Sequence, residues 1–238
     1  MSEKTKREKE NDVKDLSTQK AVVTKLIESS ALTKDFYLMM ILSSIIVCLG
    51  VLLSNIVIVI GGMLVTPFLS PLLMLSLAFV LSDFKIIKRS LFVILKSVGI
   101  IIATSFVATL LVPRINVDLS LINNLLGINL AYFYVSLASG FAAGYVWARP
   151  KLSSVLPGVA ISVALLPPLV SFSVSLMFFD VELIVGTIRS FAMNIMGIIL
   201  SATFVFALLG FYRVKGHVQK EIKQEDKIIE KEKKVLNS

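Results

Sequence analysis

Prolines, glycines and hydroxyl residues interrupt two apolar stretches of this chain, and side chains of these types could hold an ion or polar solute inside a membrane. Thr66, Pro67, Ser70 and Pro71 lie in SNIVIVIGGMLVTPFLSPLLMLSLAFVLSD, residues 54–83. Ser162, Pro167 and Pro168 lie in LPGVAISVALLPPLVSFSVSLMFFD, residues 156–180. Proline lacks a backbone donor and its ring pushes against the preceding turn. Carbonyls and amides freed in this way cannot face lipid, so they are buried in protein or line a polar cavity. Gly61-Gly62 and Gly158 add backbone freedom nearby. Opened helix ends present partial charges to an ion. Thr66, Ser70, Ser162 and Ser171 lie close enough to satisfy the freed groups; the plainer reading is two proline kinks that let six helices pack.

The two stretches read as copies. Gly61 falls on Gly158, Pro71 on Pro168 and Asp83 on Asp180, each pair 97 residues apart. Farther on, with a one-residue slip, Gly99 matches Gly197 and Phe106 matches Phe204. Interrupted apolar segments at equivalent places in two halves point to an intramembrane binding site. At the slipped offset Lys96 pairs with Asn194, and both, like Arg189, are expected within spans. Ionisable groups at such depth are costly and are functional candidates unless they snorkel to an interface. Two cations without a buried carboxylate lean the pocket toward an anion. Asp83 and Asp180 each precede a new helix and read as N-caps.

The elements that must position these residues follow from composition. The chain is 56% hydrophobic and 17% charged over 238 residues, with a mean hydropathy of +0.86. Apolar runs of about 20 residues span a bilayer as helices. Six are expected, at about 36–53, 56–82, 89–112, 128–148, 155–179 and 183–212. Basic residues crowd residues 1–35 and 213–238 and recur at Lys85, Lys88, Arg89, Arg149 and Lys151, whereas the other connections hold Arg114, Asp118, Asp180 and Glu182. That alternation places both termini in the cytoplasm. A three-span unit has an odd number of crossings, so its second copy enters from the opposite side. The expected fold is an all-α polytopic membrane protein of two inverted three-helix repeats, about 36–112 and 128–212, with proline-broken second and fifth helices.

Several classes drop out. Cys48, the one cysteine, lies in the first span, and His217, the one histidine, lies in the basic tail, where solvent exposure is expected. No disulfide, metal site, cofactor or catalytic residue is assigned, and no cleavable leader is expected. The net charge of +8 follows topology and attraction to anionic lipid rather than nucleic acid. Val22, Val23, Leu26 and Ile27 suggest a helix lying on the inner membrane surface. Gly140, Ala142, Ala143 and Gly144 give the fourth span a small face for close packing, and a homo-oligomer is expected.

Leu49-Gly50, Ser54-Asn55, IVIVIGGMLVTPFLSPLL (56–73) and Asp83 resemble one signature of the domain of unknown function 389 family, and LPGVAISVALLPPL (156–169), Asp180 and Asn194 resemble its second. The resemblance covers about residues 36–212 and implies a multi-span membrane protein of bacterial or archaeal type, without an agreed activity. It also implies an acidic residue and an arginine in the third-to-fourth connection. At those positions this chain has DLSLINNLLG, residues 118–127, a departure from the family pattern that puts an outer-gate role of the connection in doubt. The expected function is a transporter or channel for a small ion or polar solute. Its site would combine Thr66, Pro67, Ser70, Pro71, Lys96, Ser162, Pro167, Pro168 and Asn194. The alternative is a non-transporting scaffold or sensor that recruits partners through its basic tails.

Overall fold

The computed structural model describes residues 3–112, 122, 130–155 and 165–224, and every regular element among them is helical. In chain order these are α1 (Glu3–Ser29), α2 (Lys34–Leu52), α3 (Ile56–Val65), α4 (Leu69–Leu81), α5 (Phe84–Leu111), α6 (Leu130–Ala148), α7 (Leu166–Phe178) and α8 (Val181–Leu208). Short 3-10 turns lie at Pro150–Val155 and Phe211–Val214, and a last helix, α9, covers 215–224. Among the described residues α2, α5 and α8 are long and apolar enough to cross a membrane. The pair α3 and α4, bent by 57° at their break, makes a fourth if it is one span. The helix α7 is apolar but only 13 residues long, and residues 156–164, the start of the expected fifth span, lie outside the described residues.

The centre of the bundle is made by α4 and α7, each packed against both α5 and α8. Leu72, Leu73, Leu75, Leu77 and Ala78 are buried on all sides of α4, as befits a helix without a polar face. Around this centre α2 packs on α3, α5 and α7, while α6 packs on α8. The outward faces of α5 and α8 stay apolar: Leu91, Leu95 and Val107 on one and Met196, Leu200 and Phe204 on the other are exposed.

Two stretches of backbone match closely. Each of α4 and α7 runs 13 residues and ends on a left-handed residue, Ser82 (φ 48°) or Phe179 (φ 54°). An Asp cap and a 28-residue helix follow, and every bound lies 97 residues from its counterpart. Asp83 accepts hydrogen bonds from the amides of Lys85 and Ile86, and Asp180 from those of Glu182 and Leu183, so both aspartates are the N-caps their positions predict. The offset of 97 holds through the long helices: buried Ile86, Ser90, Ile101 and Ala108 correspond to buried Leu183, Thr187, Ile198 and Val205. The one-residue slip read from Gly99 and Phe106 is therefore corrected. Lys96 corresponds to Met193, and Asn194 to Ser97.

One end of the bundle collects the basic segments. The Gln219 side-chain amide donates to Asp83 Oδ2 at 2.6 Å, and Lys215 Nζ to the Ser82 carbonyl at 3.4 Å. Gln19 Nε2 donates to the Leu209 carbonyl at 2.8 Å, and Lys25 Nζ lies 5.9 Å from the Trp147 ring centre. Hence α5 begins at the end where α4, α6 and α8 finish. The apolar face of α1 is covered by protein rather than lipid: Val22, Val23, Leu26 and Ile27 are 4% exposed or less, against α4, α6 and the 211–214 turn. His217, expected in solvent, is partly buried with Nε2 3.1 Å from Thr24 Oγ1.

Candidate functional site

The break between α3 and α4 is built by three residues. Thr66 ends α3 in an extended conformation (φ −73°, ψ 132°), and its hydroxyl donates to Met40 Sδ at 3.5 Å. Pro67 follows, and its carbonyl accepts from the Ser70 amide at 3.3 Å. Phe68 anchors the corner, 1% exposed, with its ring stacked 6.5 Å from that of Phe191 on α8. Ser70 and Pro71 then occupy the first turn of α4, as Pro167 and Pro168 occupy that of α7. First-turn amides have no intrahelical partner, so proline there forfeits no helical bond. These prolines begin half-helices; they do not kink continuous ones. Neither start has a side-chain cap, since Phe68 and Leu165 hold the N-cap positions.

The expected site residues separate into groups. Thr66, Pro67, Ser70 and Pro71 stand at the first break, and Pro167 and Pro168 at the start of α7. Both starts belong to helices held between α5 and α8. Ser162 and Gly158 lie outside the described residues. Asn194 faces α6, its Oδ1 accepting from Ser136 Oγ at 2.7 Å. Lys96 and Arg189 are exposed, and Lys96 Nζ lies 4.6 Å from the Phe92 ring centre on the outer side of α5. The anion preference drawn from two buried cations has no footing once both are on the surface. A helical side chain leans toward the N-terminus of its helix, which for Lys96 is the basic end.

Hydroxyls in the core were only partly anticipated. Ser76 donates to the Leu72 carbonyl at 3.0 Å and its counterpart Ser173 to that of Leu169 at 3.3 Å. Ser97 and Thr109 likewise use carbonyls one turn back. Ser105 Oγ on α5 and Ser171 Oγ on α7 have no partner, although both residues are 0% exposed. A buried hydroxyl left so costs about 1–3 kcal/mol unless a water or solute reaches it. Beside Pro71, a void of about 10 Å³ lies among Ser30, Met74, Arg89, Ser90 and Val93, near the smallest space that holds a water. Among the described residues no group of three His, Cys, Asp or Glu side chains could hold a metal ion.

Glycine fixes the remaining contacts. A Cβ on Gly197 would lie 2.6 Å from Ser136 Cβ, and one on Gly140 would meet Ser201 Oγ and the Ile198 backbone. The small face of α6 is thus used inside the chain against α8, and the expected homo-oligomer loses that argument. Gly62 likewise serves close packing rather than hinge freedom, since its Cβ would stand 2.6 Å from Val47 Cγ2.

Residues 63–200 match the family model described as "Domain of unknown function (DUF389)". The chain belongs to this family. The matched segment runs from inside α3 to within α8, so it takes in the break and both half-helices but neither tail. An uncharacterised protein of the archaeon Methanocaldococcus jannaschii is 30% identical over 179 residues, which cover 75% of this chain and 55% of that protein. The chain thus spans little more than half the length of this curated relative. No solved structure matches it.

Proposed function

We propose that this member of the family sits in the cell membrane as six helices in two oppositely oriented three-helix repeats. In this reading it passes a small ion or polar solute where α3–α4 and α7 meet α5 and α8. The observation that carries it is the pair of proline-started half-helices, equivalent at one offset and held between the same two long helices. Opposite orientation draws support from α5 beginning at the end of the bundle where α8 finishes. The alternating basic residues make that end cytoplasmic, with both termini, and 113–127 outward. Pro67, Ser70, Pro71, Pro167, Pro168 and the unpartnered Ser105 and Ser171 hydroxyls border the path; no catalytic step is assigned. The alternative is a scaffold that recruits partners through its basic tails, in which Lys20, Lys220 and Lys223 are exposed while the apolar Val23, Leu26 and Val218 are buried on the bundle.

The test is ion flux in proteoliposomes across a panel of salts. Pro67→Ala combined with Pro168→Ala removes a proline ring that bars helix from running through each start, and is expected to lower flux about tenfold or more, equivalent to about 1.4 kcal/mol at a barrier, without loss of folding. Lys96→Met is expected to leave ion preference unchanged, because Lys96 lies outside the path. Wild-type flux that matches empty vesicles for every salt, or undiminished flux in the double variant, contradicts the proposal.

A further inference from the structure

Lys85, Arg89, Phe92 and Lys96 follow one another at spacings of four, three and four, the repeat that places residues on one face of a helix. This face of α5 forms a wall of an open groove of about 540 Å³. Leu32 and Tyr37, at the α1–α2 junction, line it on one side, and Gln219, Ile222 and Lys223 of α9 on another. Ile86, Phe92 and Val93 add apolar surface beside the cations. Of the charged groups lining the groove among the described residues, Lys85, Arg89, Lys96 and Lys223 are basic and Asp83 is acidic. That acid is engaged: the Gln219 amide, then the Ile86 and Lys85 amides and the charge of Lys215, hold its carboxyl below the usual carboxylate range despite some opposing burial. The ammonium of Lys96 lies over Phe92, one turn nearer the end where the other cations sit.

A soluble anion needs no apolar floor, and an acyl chain alone needs no cations. An amphiphile with an anionic head uses both. We propose that this groove is a binding site for one anionic phospholipid, with its phosphate against Lys85, Arg89 and Lys223 and an acyl chain along Phe92 and Val93. Because α9 supplies part of the lining, the lipid also fastens the C-terminal helix to the bundle. The site belongs to one copy only: Glu182, Gly186 and Met193 replace Lys85, Arg89 and Lys96 in the second. It is independent of any transport path and requires only that the protein be embedded in a bilayer.

The full chain, stripped of lipid in detergent, would be titrated with phosphatidylglycerol, with phosphatidylcholine of the same chains, and with inorganic phosphate. Bound lipid is counted by native mass spectrometry and thermal unfolding is followed in parallel. One phosphatidylglycerol is expected to bind and to raise the unfolding temperature, while phosphatidylcholine and phosphate do neither. Lys85→Gln with Lys223→Gln, both exposed, should weaken binding about thirtyfold, from about fivefold for each cation removed near a charged surface. Lys20→Gln with Lys220→Gln removes two exposed cations that do not line the groove and should leave binding unchanged. Equal binding of the two lipids, the same stabilisation by phosphate alone, or an equal loss in both double variants overturns the proposal.

Discussion

Where α5 carries Lys85, Lys88, Arg89 and Lys96, the equivalent places on α8 hold Glu182, Val185, Gly186 and Met193. Yet both helices are 28 residues long, begin at an Asp cap and follow a left-handed residue. Backbone is repeated and charge is not. The repeated part is what a buried half-helix needs in order to start and stop: proline where no donor is wanted, and an aspartate that satisfies two amides of the next helix. The unrepeated part lies on exposed faces, and the two long helices begin at opposite ends of the bundle; in the topology proposed above, cations favour the cytoplasmic end.

The copies also differ in how their outer helices are held, and that difference can be broken most forcefully. In the first copy α2 meets α5 through side chains, with Cys48 Sγ 3.3 Å from Thr109 Oγ1. In the second, α6 meets α8 through glycine. Gly140→Leu should therefore cost about 3 kcal/mol or more by overpacking, while Gly99→Leu, whose Cβ meets nothing within 4 Å, should stay within about 0.5 kcal/mol. Thermal unfolding in a mild detergent separates the two, and equal stability would show that the α6–α8 seam does not depend on glycine.

A smaller effect sharpens the shared part. Asp83→Ala and Asp180→Ala should each destabilise by about 1 kcal/mol, the usual worth of an N-cap. For Asp83 the folded carboxyl is held below its ordinary range. Its contribution is thus present above the unfolded-state value, about 4, and lost as pH falls through the lower folded value. The stability difference between wild type and Asp83→Asn should shrink as pH falls from about 5 to below the unfolded-state value of about 4. It should be small throughout, because the group is largely open to solvent and is screened. A difference that grows on acidification would reverse the assignment.

Much of this was legible in the residues. The offset of 97 appeared from Gly61, Pro71 and Asp83, and both aspartate caps were readable from their places before new helices. The slip to 98 was not a safe guide, because a shift of one residue turns a helix by about 100° and changes which face a side chain occupies. It paired exposed Lys96 with Asn194, whose counterpart is buried Ser97. Periodicity marked the apolar face of α1 and the small face of α6 but could not say what covers them, since protein and lipid are both apolar partners. Prolines 67, 71, 167 and 168 read as breaks in the sequence; that three of them open first turns depends on where each new helix begins. The groove is not among the readings drawn from the sequence, although Lys85, Arg89, Phe92 and Lys96 fall on one helical face. Its other wall, α9, is more than 100 residues away in the chain and left no local trace.

If two copies of one unit enter the membrane from opposite sides, positions 85 and 182 lie on opposite faces of it. They are equivalent in the repeat, both exposed and each two residues beyond its Asp cap. In a Cys48→Ala background, single Lys85→Cys and Glu182→Cys variants would be treated in intact cells with a membrane-impermeant maleimide. The account predicts labelling of the Glu182→Cys variant from outside, and of the Lys85→Cys variant only after the cells are opened. Labelling of both variants from the same side would contradict it.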